Sequence, residues 1–208
     1  LSFAKELAAA GHEVDVITAF PSYPGGNVYP GFRQRWRQVE QPAPGVRVTR
    51  VATYISSDRS GLKRLLGYAS FSAMAFLHGL FGKRPDVIYA YYPPVVGGLA
   101  AIALGACKRA PVIYDVQDLW PEAVVASGMV REGWLTRIIE RLAGMIYRRS
   151  AAVVTLSDGY RAALLAKGVA PGRVVRIYNW CDETRIAVDA GANIASQVFS
   201  LVYAGNLG

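Results

Sequence analysis

A doubly wound α/β fold, Rossmann-like, with helices on both faces of a parallel sheet, is the class this sequence predicts. Three observations predict it. Short apolar runs alternate with helical periodicity along the chain. Several of those runs, such as "DVIYAYY", "PVIYDV" and "AAVVTL", are apolar along most of their length, as strands covered on both faces require. The segments after the runs are long and rich in Gly, Pro, aromatic and acidic residues, whereas the connectors before them, such as "AAGHE", "KRPD" and "CKRAP", are short.

The elements follow in order. "LSFAKELAAA" places Phe3, Leu7 and Ala10 on one helical face, and "GH" ends that helix ahead of the strand "EVDVIT". "VRVTRV" (46–51) is the next strand, and a long apolar helix follows near 61–82. "DVIYAYY" (86–92) precedes a Pro-started helix from 94, and "PVIYDV" (111–116) precedes a helix at 134–150. In that last helix Trp134, Leu135, Ile138, Ile139, Leu142 and Ile146 form a 3.6-residue stripe expected to cover a sheet face. "AAVVTL" (151–156), a short helix at 158–167 and "RVVRIY" (173–178) complete the alternation. Residues 1–178 therefore read as one domain, 179–197 as a linker poor in large apolar residues, and 198–208 as the first strand of a second domain. The chain opens on Leu1 inside a helical pattern and stops at Gly208 after a strand-like run, so it is expected to be part of a longer protein, with the first strand ahead of Leu1.

Composition narrows the function. The 208 residues are 52% hydrophobic and carry a formal charge of +8, which suits nucleic acid, phospholipid or sugar-nucleotide partners. No nucleic-acid-binding module accompanies the basic residues, so that partner is set aside. Cys107 and Cys181 lie 74 positions apart with no C-x-x-C pair, which argues against a disulfide framework or structural zinc and fits a reducing cytoplasm. His12 and His78 are the only histidines, one in a connector and one in an apolar helix, so no Ser-His-Asp set is available. Without an Asp-x-Asp motif or ligand cluster, no metal and no cofactor are expected.

Ligands of an open parallel sheet sit outside the carboxyl ends of the strands, so the informative residues are those just after each run. There the chain reads "AFPSYPGG" (19–26), "YYPPVVGG" (91–98), "DVQDLWPE" (115–122) and "SDG" (157–159). Tyr23, Gly25, Gly26, Tyr92, Pro93, Gly97 and Ser157 are thereby substrate-binding candidates. The glycine pairs equally describe a turn and a close helix contact, and they do not make a G-x-G-x-x-G fingerprint. Asp118 is a candidate general base or sugar-hydroxyl orienter, and equally a helix cap or turn former. Trp120 can stack on a sugar or pack, and Glu122 can bind or sit in a helical first turn.

"LAAAGHEVDVITAFPSYPGG", "DLWPE", "VVTLSDGYRAALLAKGV…RVVRIYNWCD" and "VYAGNLG", in that order, resemble the family 4 retaining glycosyltransferases of the GT-B fold. The likeness is to bacterial enzymes of surface-polysaccharide and O-antigen assembly, including N-acetyl-fucosaminyl transferases. It implies that the chain is the N-terminal, acceptor-binding half of a two-domain enzyme whose C-terminal half binds the sugar nucleotide. Asn179 and Asp182 match an Asn-Gly-Val-Asp turn, while Trp180 and Cys181 depart from it. Many relatives place a His with Asp or Thr after the fourth strand. Here that place reads Gln117-Asp118, or Asp115 if the register shifts, so Asp118, Gln117 and Asp115 are the catalytic candidates. Gly205 and Asn206 join the substrate-binding set.

The implied partners are a nucleotide-sugar donor, UDP-linked, and a polyprenyl-diphosphate-linked or other glycan acceptor. The implied setting is cell-envelope synthesis at the cytoplasmic face of the membrane. Two alternatives stand: a GT-B sugar-nucleotide epimerase, and a non-catalytic binding or membrane-docking module. Residues 65–82 carry no formal charge, yet three Gly, two Ser and a His favour a crossover helix over a spanning one. Arg59, Lys63 and Arg64 at one end and Lys83 and Arg84 at the other are expected to attract anionic headgroups, with Leu65, Leu66, Phe71 and Phe76 at the interface.

Overall fold

The computed structural model describes residues 1–22, 25–58, 60–91, 94–122, 125 and 133–179. Helix α1 (Ser2–Ala9) leads into β1 (Val14–Ala19). A hairpin of β2 (Arg37–Ala43) and β3 (Val46–Val51) follows, and then the long helix α2 (Gly61–Phe81). From there strands and helices alternate as β4 (Ile88–Tyr91), α3 (Val95–Lys108), β5 (Val112–Val116) and α4 (Trp134–Arg149). The alternation ends with β6 (Ala152–Thr155), α5 (Asp158–Ala166) and β7 (Val174–Arg176), the last preceded by a 3₁₀ turn, Pro171–Arg173.

The strands form two sheets, β1-β3-β2 and β4-β5-β6-β7. The second is parallel throughout, with Asp115 beside Tyr91 on one side and beside Val154 on the other. The first pairs β1 parallel to β3, and β2 antiparallel to β3 with a register shift between Glu40 and Ala43. Strand β2 is absent from the sequence-based element order for a physical reason. Its sequence, RQVEQPA, turns Val39 to solvent and its carboxylate Glu40 inward onto Arg50 at 2.8 Å, and it carries Pro42, which only an edge strand tolerates.

The larger core lies on the four-stranded sheet. Ala90, Val112, Tyr114, Val116, Val153 and Val174 from the strands meet Val95 of α3, Ile146 and Tyr147 of α4 and Leu164 of α5. Tyr114 and Tyr147 meet edge to face with ring centroids 5.7 Å apart. Gly98 permits this packing, because a Cβ there would lie 2.7 Å from the Tyr114 ring and 2.9 Å from Ile146. Only the C-terminal half of the α4 stripe covers the sheet. Ala143, Ile146 and Tyr147 are buried with Ile139 and Leu142 beside them, while Trp134 is 74% exposed and Leu135 and Ile138 also face solvent. Helix α2 packs on α3 and touches β1 and β3, which joins the two sheets.

The proposed linker beyond Asn179 and the proposed strand at 198–208 lie outside the described residues.

Candidate functional site

Strand β5 carries the centre of the site. It ends at Val116, as the strand reading of 111–116 has it, so Asp115, the first residue of the 115–122 stretch, is a strand residue, 1% exposed. A carboxylate so buried is tolerable only when its oxygens are hydrogen-bonded. Both are: the Tyr89 hydroxyl of β4 donates to Oδ2 at 2.6 Å, and the Gln117 side-chain amide donates to Oδ1 at 2.8 Å. Burial, followed by the bond to Asp115, raises the Tyr89 phenol well above the usual tyrosine range, so it stays a donor. Asp115 thus ties the Tyr89 and Gln117 side chains together. Since the Gln117 amide nitrogen is turned to Asp115, its carbonyl oxygen is directed elsewhere, as an acceptor suited to a sugar hydroxyl.

Asp118 follows half-buried at the carboxyl end of the sheet. Its carboxylate and that of Glu122 both stand near Tyr160 of α5. Burial raises the Tyr160 phenol first, and the two negative charges push it further in the same direction. Trp120 packs into the core margin, and its backbone is hydrogen-bonded to Tyr147, whose phenol burial pushes up to about 12. The Trp120–Pro121 peptide is cis. Glu122 is held by Lys167 at 2.7 Å, which anchors the end of this loop to the end of α5. The structure therefore brings Asp115, Gln117, Asp118, Trp120 and Glu122 together around β5 and α5.

The remaining candidates take other places. Ser157 is the N-cap of α5, accepting a hydrogen bond from the Tyr160 backbone N–H at 3.2 Å. Gly97 sits in the first turn of α3. Gly26 has φ +67, and a Cβ there would fall 2.5 Å from Ser56 O, so this turn is pressed on the loop after β3 rather than opened for a ligand. Nothing lies within 4 Å of the position a Gly25 Cβ would take. Asn179 is exposed past β7. Tyr23, Tyr92, Pro93, Gly205 and Asn206 lie outside the described residues.

Two features escape a reading of the sequence. Tyr89 becomes a partner of Asp115 only through the β4–β5 register, which sets Ile113 beside Tyr89 and Asp115 beside Tyr91. The only available signal is a pair of tyrosines, Tyr89 and Tyr91, alternating with apolar residues in a short strand. Thr155, fully buried at the end of β6, has a hydroxyl oxygen with no hydrogen-bond partner among the described residues. Among the described residues no group of three or more His, Cys, Asp or Glu is arranged to hold a metal ion. An open concavity of about 470 Å³ between α4 and Lys167 is lined by Arg137, Arg141 and Arg148, but it lies on the outer surface of α4, away from Asp115.

Residues 1–180 match the family model described as a glycosyl transferase 4-like domain. The chain is 28% identical over 218 aligned positions to a protein of Escherichia coli (strain K12) described, provisionally, as the colanic acid biosynthesis glycosyl transferase WcaI, with 97% of this chain aligned. It spans about half of that relative's length, 53%. It is also similar to crystal structures of Anabaena Alr3699/HepE. In the complex with UDP-glucose the TM-score is 0.46 at 15% identity, covering 83% of this chain and 45% of that one. In the complex with UDP and glucose it is 0.47 at 14% identity, covering 83% and 46%. With the match running from Leu1 through the Asp115–Glu122 loop to the end of β7, the chain belongs to the glycosyl transferase 4-like domain family.

Proposed function

We propose that this chain is the acceptor-binding, N-terminal part of a GT-B glycosyltransferase. The enzyme transfers a sugar from a UDP-linked donor to a polyprenyl-diphosphate-linked or other glycan acceptor, with retention at the anomeric carbon and without a metal or cofactor. The observation that carries this reading, beside the family, is the Tyr89–Asp115–Gln117 chain at the end of β5 with Asp118 next to it. A buried carboxylate that fixes an amide, next to a half-buried carboxylate, offers two sugar-hydroxyl acceptors held on a rigid strand. Asp118 acts as base or hydroxyl orienter and Gln117 as hydroxyl acceptor, while Asp115 positions Gln117. The relative's description as an enzyme of colanic acid biosynthesis supports a role in polysaccharide synthesis. We assign that role to the cell envelope and the work to the cytoplasmic face of the membrane.

The test is turnover by the full-length protein of UDP-sugars with a polyprenyl-diphosphate-sugar acceptor, with the product anomer read by NMR and EDTA present in a parallel reaction. Retention and EDTA-insensitive turnover are expected. Asp118→Asn is expected to lower turnover by about 10²-fold. Interconversion of the UDP-sugar without transfer would establish the epimerase instead. Normal kinetics in a folded Asp118→Asn protein would return this residue to a turn-forming role.

A further inference from the structure

Helix α2 keeps a row of apolar side chains in solvent. Beyond its first turn, its Ser and His side chains are satisfied by nearby backbone. Ser72 is buried and donates to Tyr68 O at 2.6 Å, and Ser70 donates to Gly67 O and accepts from Tyr54 N. His78 Nδ1 lies 3.0 Å from Met74 O. Besides Arg64 and Tyr68, the side chains exposed to solvent are Leu62, Leu65, Leu66, Ala73, Leu77 and Phe81, with Leu62 69% and Phe81 84% exposed. At 100° per residue these positions share one side of the helix and follow it from end to end, over about 30 Å at 1.5 Å per residue. Phe71 and Phe76, the aromatics expected at an interface, are instead half-buried.

The surroundings are cationic. No acid occurs between Asp58 and Asp86. At the N-terminal end of α2 Lys63 is ion-paired with Asp58 at 2.7 Å, with exposed Arg64 beside it, and Lys83 and Arg84 mark the other end. At the C-terminal end an extended arm brings exposed Arg33, Arg35 and Arg37, and with them Trp36, 68% exposed and 6.0 Å from the His78 ring. Exposed apolar surface of this extent marks an interaction site. A second copy of this chain is a poor occupant, because either orientation of two α2 faces sets cations against cations. No helix among the described residues is long and apolar enough to cross a membrane.

We propose that α2, with the Trp36 arm at its end, lies in the plane of an anionic lipid surface. Leu62, Leu65, Leu66, Leu77 and Phe81 enter the acyl boundary and the flanking Arg and Lys residues meet the headgroups. This deepens the reading of a lipid-linked acceptor, since the enzyme then meets its acceptor within the membrane plane. It is tested by binding, so the two readings can fail separately.

The experiment is flotation of the full-length protein with vesicles of phosphatidylglycerol and phosphatidylcholine, compared with phosphatidylcholine alone. Tm and sedimentation velocity are recorded for every variant. The wild type is expected to float with the anionic vesicles. Leu66→Gln/Leu77→Gln/Phe81→Gln is expected to weaken this at least tenfold with Tm unchanged. Arg33→Gln/Arg35→Gln/Lys83→Gln/Arg84→Gln is expected to abolish only the preference for anionic lipid. Activity on a water-soluble acceptor analogue is expected to be unchanged in both. Undiminished flotation of the apolar variant overturns the proposal. So does a large fall in its Tm, which would show the face covered by the rest of the chain, or conversion of a wild-type dimer to a monomer, which would show a second copy. Flotation as expected by a protein that turns over no nucleotide sugar would leave the docking face standing and overturn the enzymatic reading.

Discussion

The β4–β7 sheet is parallel throughout, whereas the β1–β3 sheet pairs only β1 with β3 in parallel and adds the antiparallel, polar edge strand β2, and the two bury very different cores. Around β4–β7 the strands meet Ile146, Tyr147 and Leu164, fully buried, from two helices. Around β1 and β3 the corresponding cluster is Ala4, Val46 and Val48, lined by alanines and valines, with Phe20 and Val51 buried at the carboxyl ends of the two strands, and the nearby helix α2 leaves Leu62, Leu65, Leu66 and Leu77 exposed. The candidate site at Asp115, Gln117 and Asp118 stands on the more heavily packed sheet, where close packing transmits little slack. The proposed docking face lies beside the more lightly packed one.

The contrast breaks first at Tyr147. Tyr147→Ala removes a fully buried ring in contact with Tyr114, and is expected to cost about 3–5 kcal/mol. Leu66→Ala on the outer face of α2 is expected to stay within about 0.5 kcal/mol of wild type. Urea unfolding measures both. Comparable losses would mean that the α2 face is covered and the two halves are packed alike.

Alkali should act on the heavily packed half in the same direction. Tyr147 is held neutral up to about 12, chiefly by burial, against an ordinary tyrosine near 10. Its folded pKa is the higher one, so its contribution is fully present below pH 10. It is lost as pH rises through 12, because the unfolded chain then releases a proton that the folded chain retains. Tyr147 is expected to contribute a loss on the order of 2 kcal/mol across that window, beside those of Tyr89 and Tyr114, whose phenols burial also raises, so Tyr147→Phe should make the fall shallower. Stability that does not change between pH 10 and 12 would contradict the burial of this phenol.

Replacing Asp115 by Leu leaves the Tyr89 hydroxyl and the Gln117 amide without their acceptor, for an expected cost of about 1–3 kcal/mol. Tyr89→Phe removes one of the two bonds and should cost about 1 kcal/mol. If Asp115 works by positioning Gln117, Tyr89→Phe should raise KM for the acceptor more than it lowers kcat. Equal stability of both variants to wild type would show that the chain of bonds does not hold the site.

These residues also mark where the sequence stopped being legible. The alternation of apolar runs and helical stripes located β1, β3, β5, β6 and both ends of α2 within about two residues, because burial on both faces of a parallel sheet imposes a local pattern. Strand β2 was not legible, since an edge strand with Pro42 and an outward Val39 has no inward apolar rhythm. The α4 stripe was read whole, although only its second half meets the sheet. Periodicity shows that a face is apolar, not what covers it, and α2 makes the same point more strongly. Asp118 and Gln117 were legible as the residues after a strand. Tyr89 was not, because its role depends on a neighbouring strand's register, which is a long-range fact.

The smallest expected effect concerns the surface of the lightly packed sheet. Asp15 of β1 and Arg47 of β3 are in-register partners, and the guanidinium meets both carboxylate oxygens, at 2.6 Å each. A bidentate geometry argues for a strong pair, but both side chains are about half exposed. Water and salt then screen most of the attraction, so a double-mutant cycle with Asp15→Asn and Arg47→Gln is expected to give a coupling below about 1 kcal/mol. In 1 M salt, where the screening length is about 3 Å, the coupling should shrink further. A salt-resistant coupling well above 1 kcal/mol would mean that this sheet compensates for its thin core with a desolvated ion pair. The partition between a rigid, site-bearing half and a lightly held, surface-bearing half would then have to be redrawn, with β1–β3 as rigid as β4–β7 and held by charge instead of packing.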